Sequence, residues 1–255
     1  MDLRLQAFER LLNIMDDLRE KCPWDKKQTL ETLRHLTIEE VYELTDAILE
    51  GDMQELKKEI GDIMLHMVFY SKIASETQLF DITDVLNGIC DKLIHRHPHI
   101  YGDVEVKDEA EVKANWEKLK LKEGKTSVLE GVPSSLPSMV KASRIQEKAR
   151  GVGFDWDDKT QVWDKVQEEL QEFKDVEGKD HEEATNEFGD LLFSLINYAR
   201  FVDISPDEAL ERTNKKFIKR FQFLEKASAA DGKTMGEMTL EEMDVYWEAS
   251  KKLKG

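Results

Sequence analysis

Two strings of carboxylates, repeated in the same order, carry most of the chemistry legible in this 255-residue chain. Glu39-Glu40-Val41-Tyr42-Glu43 is followed by Glu59-Ile60-Gly61-Asp62, and Glu168-Glu169-Leu170-Gln171-Glu172 by Glu187-Phe188-Gly189-Asp190. Each copy offers five acids and runs into an apolar stretch, Ile63 to Tyr70 in one and Leu191 to Ala199 in the other. Carboxylates carried to the edge of a core are costly to desolvate unless a cation accompanies them. Oxygen ligands with no cysteine nearby suit a hard ion, Mg²⁺ or Mn²⁺ rather than Zn²⁺, and open positions on such an ion suit phosphate oxygens. A single EExxE string on a helix is ordinarily a solvated face. Two ordered copies with the same sequel favour a site, and the expected substrate is phosphorylated.

The elements that must position these acids follow from helical geometry. At about 100° per residue, Glu39, Glu40 and Glu43 fall within an arc of roughly 100°, and Glu59 and Asp62 lie about 60° apart. Between the two sets, Gly51 reads as a helix stop and Asp52 as an N-cap with Glu55 three residues on; Gly178, Asp180 and Glu183 repeat the device. Each repeat is therefore expected to fold as an antiparallel helical hairpin whose two acidic sets stand level, roughly 12 Å from the turn. Beyond each hairpin a Lys-x-x-x-Arg pair, Lys92 and Arg96 or Lys216 and Arg220, puts two cations on one side of a helix. Basic residues usually solvate a helix, but their recurrence after both hairpins favours a phosphate clamp. Trp116 and Trp247 could stack on a base, though a tryptophan on an amphipathic helix is more often core or interface. His95, His97 and His99 have no counterpart in the second repeat, and Pro98 breaks their helix, which favours a helix-end role over a metal site.

The repetition spans the chain. Trp24-Asp25 matches Trp156-Asp157 at an offset of 132, Glu39 matches Glu168 at 129, Asp62 matches Asp190 at 128, and Lys92 matches Lys216 at 124. A duplicated domain is the simplest account: residues 1–121, a linker at 122–138 rich in glycine, serine and proline, and residues 139–255. The expected fold class is all-α, tandem helical-bundle domains each built on an acidic hairpin, with only Gly153 to Trp156 and Thr126 to Leu129 reading as extended. A net charge of -17 argues against nucleic acid or an anionic membrane as the main partner. No run approaches the ~18 apolar residues of a membrane span. The amphipathic N-terminus is unlike a signal peptide, and Cys22 and Cys90 lack CxxC spacing, so the expected location is the cytoplasm.

Taken together these residues resemble the MazG-type nucleoside triphosphate pyrophosphohydrolases, in the all-α NTP pyrophosphatase group marked by EExxE followed by ExxD. The resemblance covers essentially the whole chain and includes Cys22-Pro23-Trp24-Asp25, Val128 to Pro133, Lys148 to Trp156 (KARGVGFDW), and Asn214-Lys215-Lys216-Phe217 with Arg220. It implies Mg²⁺-dependent hydrolysis of nucleoside triphosphates, deoxy and non-standard forms included, to monophosphate and pyrophosphate by a homodimer. Mn²⁺ is a possible substitute for Mg²⁺.

Carried over by residue, the resemblance makes Glu169, Glu172, Glu187 and Asp190 metal ligands, with Glu168 adjoining the nucleotide and orienting or deprotonating water. Lys165, Asn186, Lys216, Arg220 and Trp247 would contact the nucleotide, along with Glu168 and Glu169. A second site would use Glu39, Glu40, Glu43, Glu59, Asp62, Lys92 and Arg96. The repeats differ, however: Leu36 stands where the second repeat has Lys165, and Lys58 where it has Asn186. The second repeat is therefore expected to carry turnover. The alternatives are a narrower dUTP or phosphoribosyl-ATP pyrophosphohydrolase, and a helical module that binds nucleotide without hydrolysing it.

Overall fold

The computed structural model describes residues 2–108, 111, 112, 115, 116, 119 and 127–252. All regular secondary structure among them is helical, and the chain divides into two compact units, Met1–Lys107 and Asp108–Gly255.

In the first unit, α1 (Leu3–Lys21) leads through a 3₁₀ turn at Asp25–Lys27 to α2 (Leu30–Glu50), α3 (Met53–Glu76), α4 (Ile82–Arg96) and the single turn α5 (Pro98–Tyr101). The boundaries have local causes. Thr29 and Thr32 form a reciprocal cap at the start of α2, and Asp81 and Asp84 do the same for α4. Gly51 ends α2 at φ 70°, left-handed backbone that costs glycine nothing, and Asp52 at once caps α3 by accepting from the Gln54 and Glu55 amides. Met15, Leu33, Val68 and Phe69 make the core, against which Phe8, Leu11, Leu36 and Leu65 pack. Fully burying side chains of this kind contributes roughly 1.5–3 kcal/mol each. Arg19 ties α1 to the far end of α3 through Glu76 at 2.7 Å, and donates to the Asp25 and Gln28 carbonyls, so the loop before α2 is fixed to the core.

In the second unit, α6 (Ser138–Arg150), α7 (Lys159–Val176), α8 (His181–Phe201) and α9 (Pro206–Ala230) precede a 3₁₀ turn at Met235–Glu237 and α10 (Leu240–Ser250). Gly178 takes φ 77° after α7, and Asp180 caps α8 through the Glu182 and Glu183 amides, so the turn between acidic helices is built alike in both repeats. Between α7 and α8, Val162, Val166, Leu191 and Ile196 are buried, with Trp163 against Tyr198 and Phe173 against Phe188. The expected all-α fold and paired acidic hairpins are borne out.

Two expected extended segments are not. Residues 128–130 form a turn, closed by the Glu130 amide on the Ser127 carbonyl, and Thr126 lies outside the described residues, as do 122–125 of the expected linker. Gly153 to Trp156 pair with no strand; Gly153 has φ 88° and the Phe154 amide folds back on the Ala149 carbonyl. An ion pair replaces ladder bonding there: Arg200 of α8 grips Asp155 with two nitrogens, at 2.9 and 2.5 Å. At the end of α4, His97 is the cap residue, its Nδ1 2.6 Å from the Leu93 carbonyl, and Pro98 starts α5, so the histidine run is a helix junction.

Candidate active site

The second hairpin gathers its acids into two overlapping groups. One oxygen from each of Glu168, Glu169 and Glu172 lies within 4.8 Å of the others, and the same holds for Glu169, Glu187 and Asp190. Glu169 belongs to both and is the buried member, while Glu168, Glu172 and Asp190 are exposed to solvent. The i and i+4 positions of α7 bring Lys165 onto the same face, where its ammonium stands 2.6 Å from both Glu168 and Glu169. Those two hydrogen bonds raise the Lys165 pKa further above its ordinary value. Loss of hydration raises the Glu172 carboxyl above the ordinary glutamate value, aided by the charges of Glu169, Glu187 and Glu168 against the opposing pull of Lys165. The site is thus a set of converging carboxylate oxygens with, among the described residues, one cation paired to it.

The first hairpin forms the corresponding group from Glu40, Glu59 and Asp62, which occupy the same places in the repeat as Glu169, Glu187 and Asp190. Glu59 is almost fully buried, at 1% exposure, and among the described residues its Oε2 has no hydrogen-bond partner. Burial raises the Glu59 carboxyl, while Lys58 pulls it the other way. Glu40 is raised by burial and by the charges of Asp62, Glu43 and Glu59. Glu43 thus acts on the group through its charge, whereas Glu39 is exposed outside it. One helical turn beyond Asp62, His66 is buried, its Nδ1 without a hydrogen-bond partner among the described residues, and is held below its ordinary pKa by burial. Ser194 stands at the matching place in the second repeat.

The basic helices stand differently. Arg220 lies over the Trp247 ring at 6.0 Å, and Phe217 packs on the same ring at 5.1 Å, which makes Trp247 part of an aromatic and cationic cluster between α9 and α10. Among the described residues neither Arg220 nor Lys216 forms an ion pair with the acids, and Asn186 is exposed beside Glu187. Lys92 is exposed on α4 and Arg96 half-buried at its end. Sequence reasoning missed the Arg200–Asp155 clamp, which fixes the loop leading into α7. The signal was present in the aspartate of the KARGVGFDW string, but its partner lies 45 residues on.

A converging set of carboxylate oxygens around one buried glutamate is a donor set that fits a hard divalent ion, and the exposed oxygens leave room for a phosphate chain. The model of the MazG nucleotide pyrophosphohydrolase domain matches the chain twice, over residues 28–101 and 159–222, and so takes in both hairpins. A Thermotoga maritima protein named nucleoside triphosphate pyrophosphohydrolase/pyrophosphatase MazG is 43% identical, across 96% of this chain and 95% of that protein. An Escherichia coli nucleoside triphosphate pyrophosphohydrolase is 39% identical across 97% of this chain and 98% of its own length. Bacillus subtilis YabN, named as uncharacterized, is 44% identical across 98% of this chain, which corresponds to 52% of YabN. With its acidic hairpin built twice and these similarities running nearly end to end, the chain belongs to the MazG nucleotide pyrophosphohydrolases, a family of hydrolases.

Proposed function

We propose that this protein hydrolyses nucleoside triphosphates, ribo- and deoxyribo-forms and non-standard ones among them, to nucleoside monophosphate and pyrophosphate. The catalytic domain is residues 139–255, joined through 122–138 to an N-terminal MazG-like domain at 1–121. The observation that carries this reading is the pair of carboxylate triads sharing buried Glu169, with Lys165 paired to them. Glu169, Glu172, Glu187 and Asp190 would hold Mg²⁺, or Mn²⁺ in its place. When bound, such an ion neutralises triphosphate charge and lowers the pKa of a water.

The remaining work falls to side chains. Glu168, exposed at the edge of its triad, orients a water and accepts its proton. Lys165 exchanges its two carboxylate partners for phosphate oxygens once the acids are otherwise neutralised. Lys216 and Arg220 steady the departing pyrophosphate, Asn186 adds an amide beside Glu187, and the Trp247 face receives the base.

The oligomer is proposed to be a homodimer located in the cytoplasm, without a nucleic-acid or membrane partner. Ile60, Met64 and Met67 are 51, 45 and 41% exposed along one stripe of α3, and Phe188, Leu192 and Leu195 are 47, 43 and 40% exposed at the same repeat positions on α8. An i, i+4, i+7 apolar stripe left open on both hairpins is a surface for a second copy. Cys22 and Cys90 are both free thiols, in keeping with a reducing compartment. Among the described residues no helix is long and apolar enough to cross a membrane.

The decisive experiment incubates the protein with each NTP and dNTP and Mg²⁺, assaying pyrophosphate and orthophosphate separately. Pyrophosphate as the primary product across several bases is expected. Turnover confined to dUTP or phosphoribosyl-ATP would select a narrower enzyme, nucleotide binding without product would select the binding module, and orthophosphate as the first product would overturn the reading. Light scattering across micromolar concentrations tests the dimer, and a monomer throughout would refute it.

A further inference from the structure

Among the described residues each acidic group has one lysine beside it, and the two lysines come from opposite helices of the hairpin. In the second repeat it is Lys165, on the helix of the EExxE string, whose place in the first repeat is taken by Leu36. In the first repeat it is Lys58, on the helix of the ExxD string, whose place in the second is taken by Asn186. Lys58 reaches Glu55 at 2.6 Å and the Oε1 of Glu59 at 3.4 Å. The other oxygen of Glu59 is buried without a hydrogen-bond partner among the described residues, and Glu59 turns a ligand oxygen to Glu40 and Asp62 within 4.8 Å. A buried carboxylate so placed needs positive charge, and the only part of that need Lys58 meets is at one oxygen.

We propose that Lys58 is a tethered counter-cation of the first repeat, which holds its acidic group together without metal and competes there with a divalent ion. The inference rests on the reading of the second repeat as a metal site. Lys58 is a positioning residue in this account: its ammonium pairs with Glu55 and with the Oε1 of Glu59, beside the oxygens that would hold an ion. A unit positive charge within about 5 Å of a doubly charged ion opposes binding by more than a factor of ten, even in a largely solvated setting.

The test uses the full-length protein and Mn²⁺ alone, followed by the electron-spin-resonance signal of the free ion and by thermal unfolding. Lys58→Asn supplies the residue found in the second repeat, Lys58→Met removes the charge and adds no ligand, and Lys58→Arg keeps the charge. Asp190→Asn silences the second repeat so that the first is read alone. With Asp190→Asn present, both Lys58→Asn and Lys58→Met should tighten Mn²⁺ binding about tenfold or more, and Lys58→Arg should leave it weak. Both neutral variants should also melt lower without metal and recover when Mn²⁺ is added. Gain in Lys58→Asn but not in Lys58→Met would mean that the new amide binds the ion, and would overturn the counter-cation role.

Should the neutral variants fail to fold without metal, they are refolded in Mn²⁺: recovery of the helical fold at Mn²⁺ concentrations where Lys58→Arg binds no ion is the same gain, and its absence would refute the proposal. Normal binding at the second repeat with no gain on neutralising Lys58 would refute this inference alone, whereas no Mn²⁺ binding at the second repeat would sink the metal reading beneath it.

Discussion

Glu169→Gln separates what the acidic group does for catalysis from what it does for the fold. The amide keeps the shape of the side chain and can still accept from Lys165, but it removes the charge common to both triads. Glu168, Glu172, Glu187 and Asp190 each place an oxygen within 4.8 Å of Glu169. At that separation and an effective dielectric of about 20, two like charges repel by roughly 3.5 kcal/mol gross. Solvent around exposed Glu168, Glu172 and Asp190 and half-exposed Glu187 screens the relief to about 1–2 kcal/mol for the four together. Against it stands the loss of the Lys165 ion pair, worth about 1 kcal/mol because Lys165 is 36% exposed. The metal-free variant should therefore be as stable as the parent, or up to about 1 kcal/mol more so, an upward shift in melting temperature of no more than about 4 °C.

Activity should move the other way. Loss of an outer-shell partner of a metal typically costs 10–100-fold, so loss of the shared ligand should cost at least about 100-fold, or roughly 2.7 kcal/mol of transition-state stabilisation. The assays are pyrophosphate release at saturating Mg²⁺ and thermal unfolding in chelator, with and without added metal. A variant that keeps more than about a tenth of the activity would remove Glu169 from the catalytic machinery. One that loses more than about 2 kcal/mol of metal-free stability would show that the buried carboxylate holds the fold rather than an ion.

Glu172→Gln and Asp190→Asn should abolish most pyrophosphate release, whereas Glu43→Gln and Asp62→Asn in the first repeat should be mild; circular dichroism checks the helices, equal losses would mean both repeats turn over, and the opposite pattern would reverse their roles. The pKa values of Glu40, Glu59 and Glu172 are raised in the fold, so their protonation favours the folded state below the ordinary glutamate value, and that stability is lost as pH rises through the raised values. Because an ion must displace those protons, the melting-temperature gain on adding Mn²⁺ should be larger at about pH 7.5 than at about pH 5. A gain independent of pH would count against metal binding at these acids. Arg200→Ala leaves partly buried Asp155 without its two-nitrogen partner and should destabilise the second unit by about 2–3 kcal/mol in urea unfolding, while Arg200→Lys, unable to span both oxygens, should recover only part of it. Full stability in Arg200→Ala would show that the loop before α7 is held by other contacts.

The acids were legible in the sequence because their spacing obeys one helix at a time. Glu59 and Asp62 share a face by the 3.6-residue period alone, and Gly51-Asp52, stop and cap, decides that α2 must turn back as α3. The same local rules placed Lys165 beside Glu168 and Glu169. Tertiary structure decided which acids meet and at what depth. Packing across the hairpin joins Glu40 to Glu59 and Asp62 and leaves Glu39 outside, and it buries Glu59 while Asp190 stays in water. Burial sets the cost of charge, and no periodicity reports it. The clamp of Arg200 on Asp155 and the seat of Arg220 over Trp247 likewise join residues far apart in sequence or on separate helices. Residue spacing along the chain gives the face of a helix, and only the packed fold brings two faces together and excludes the water between them.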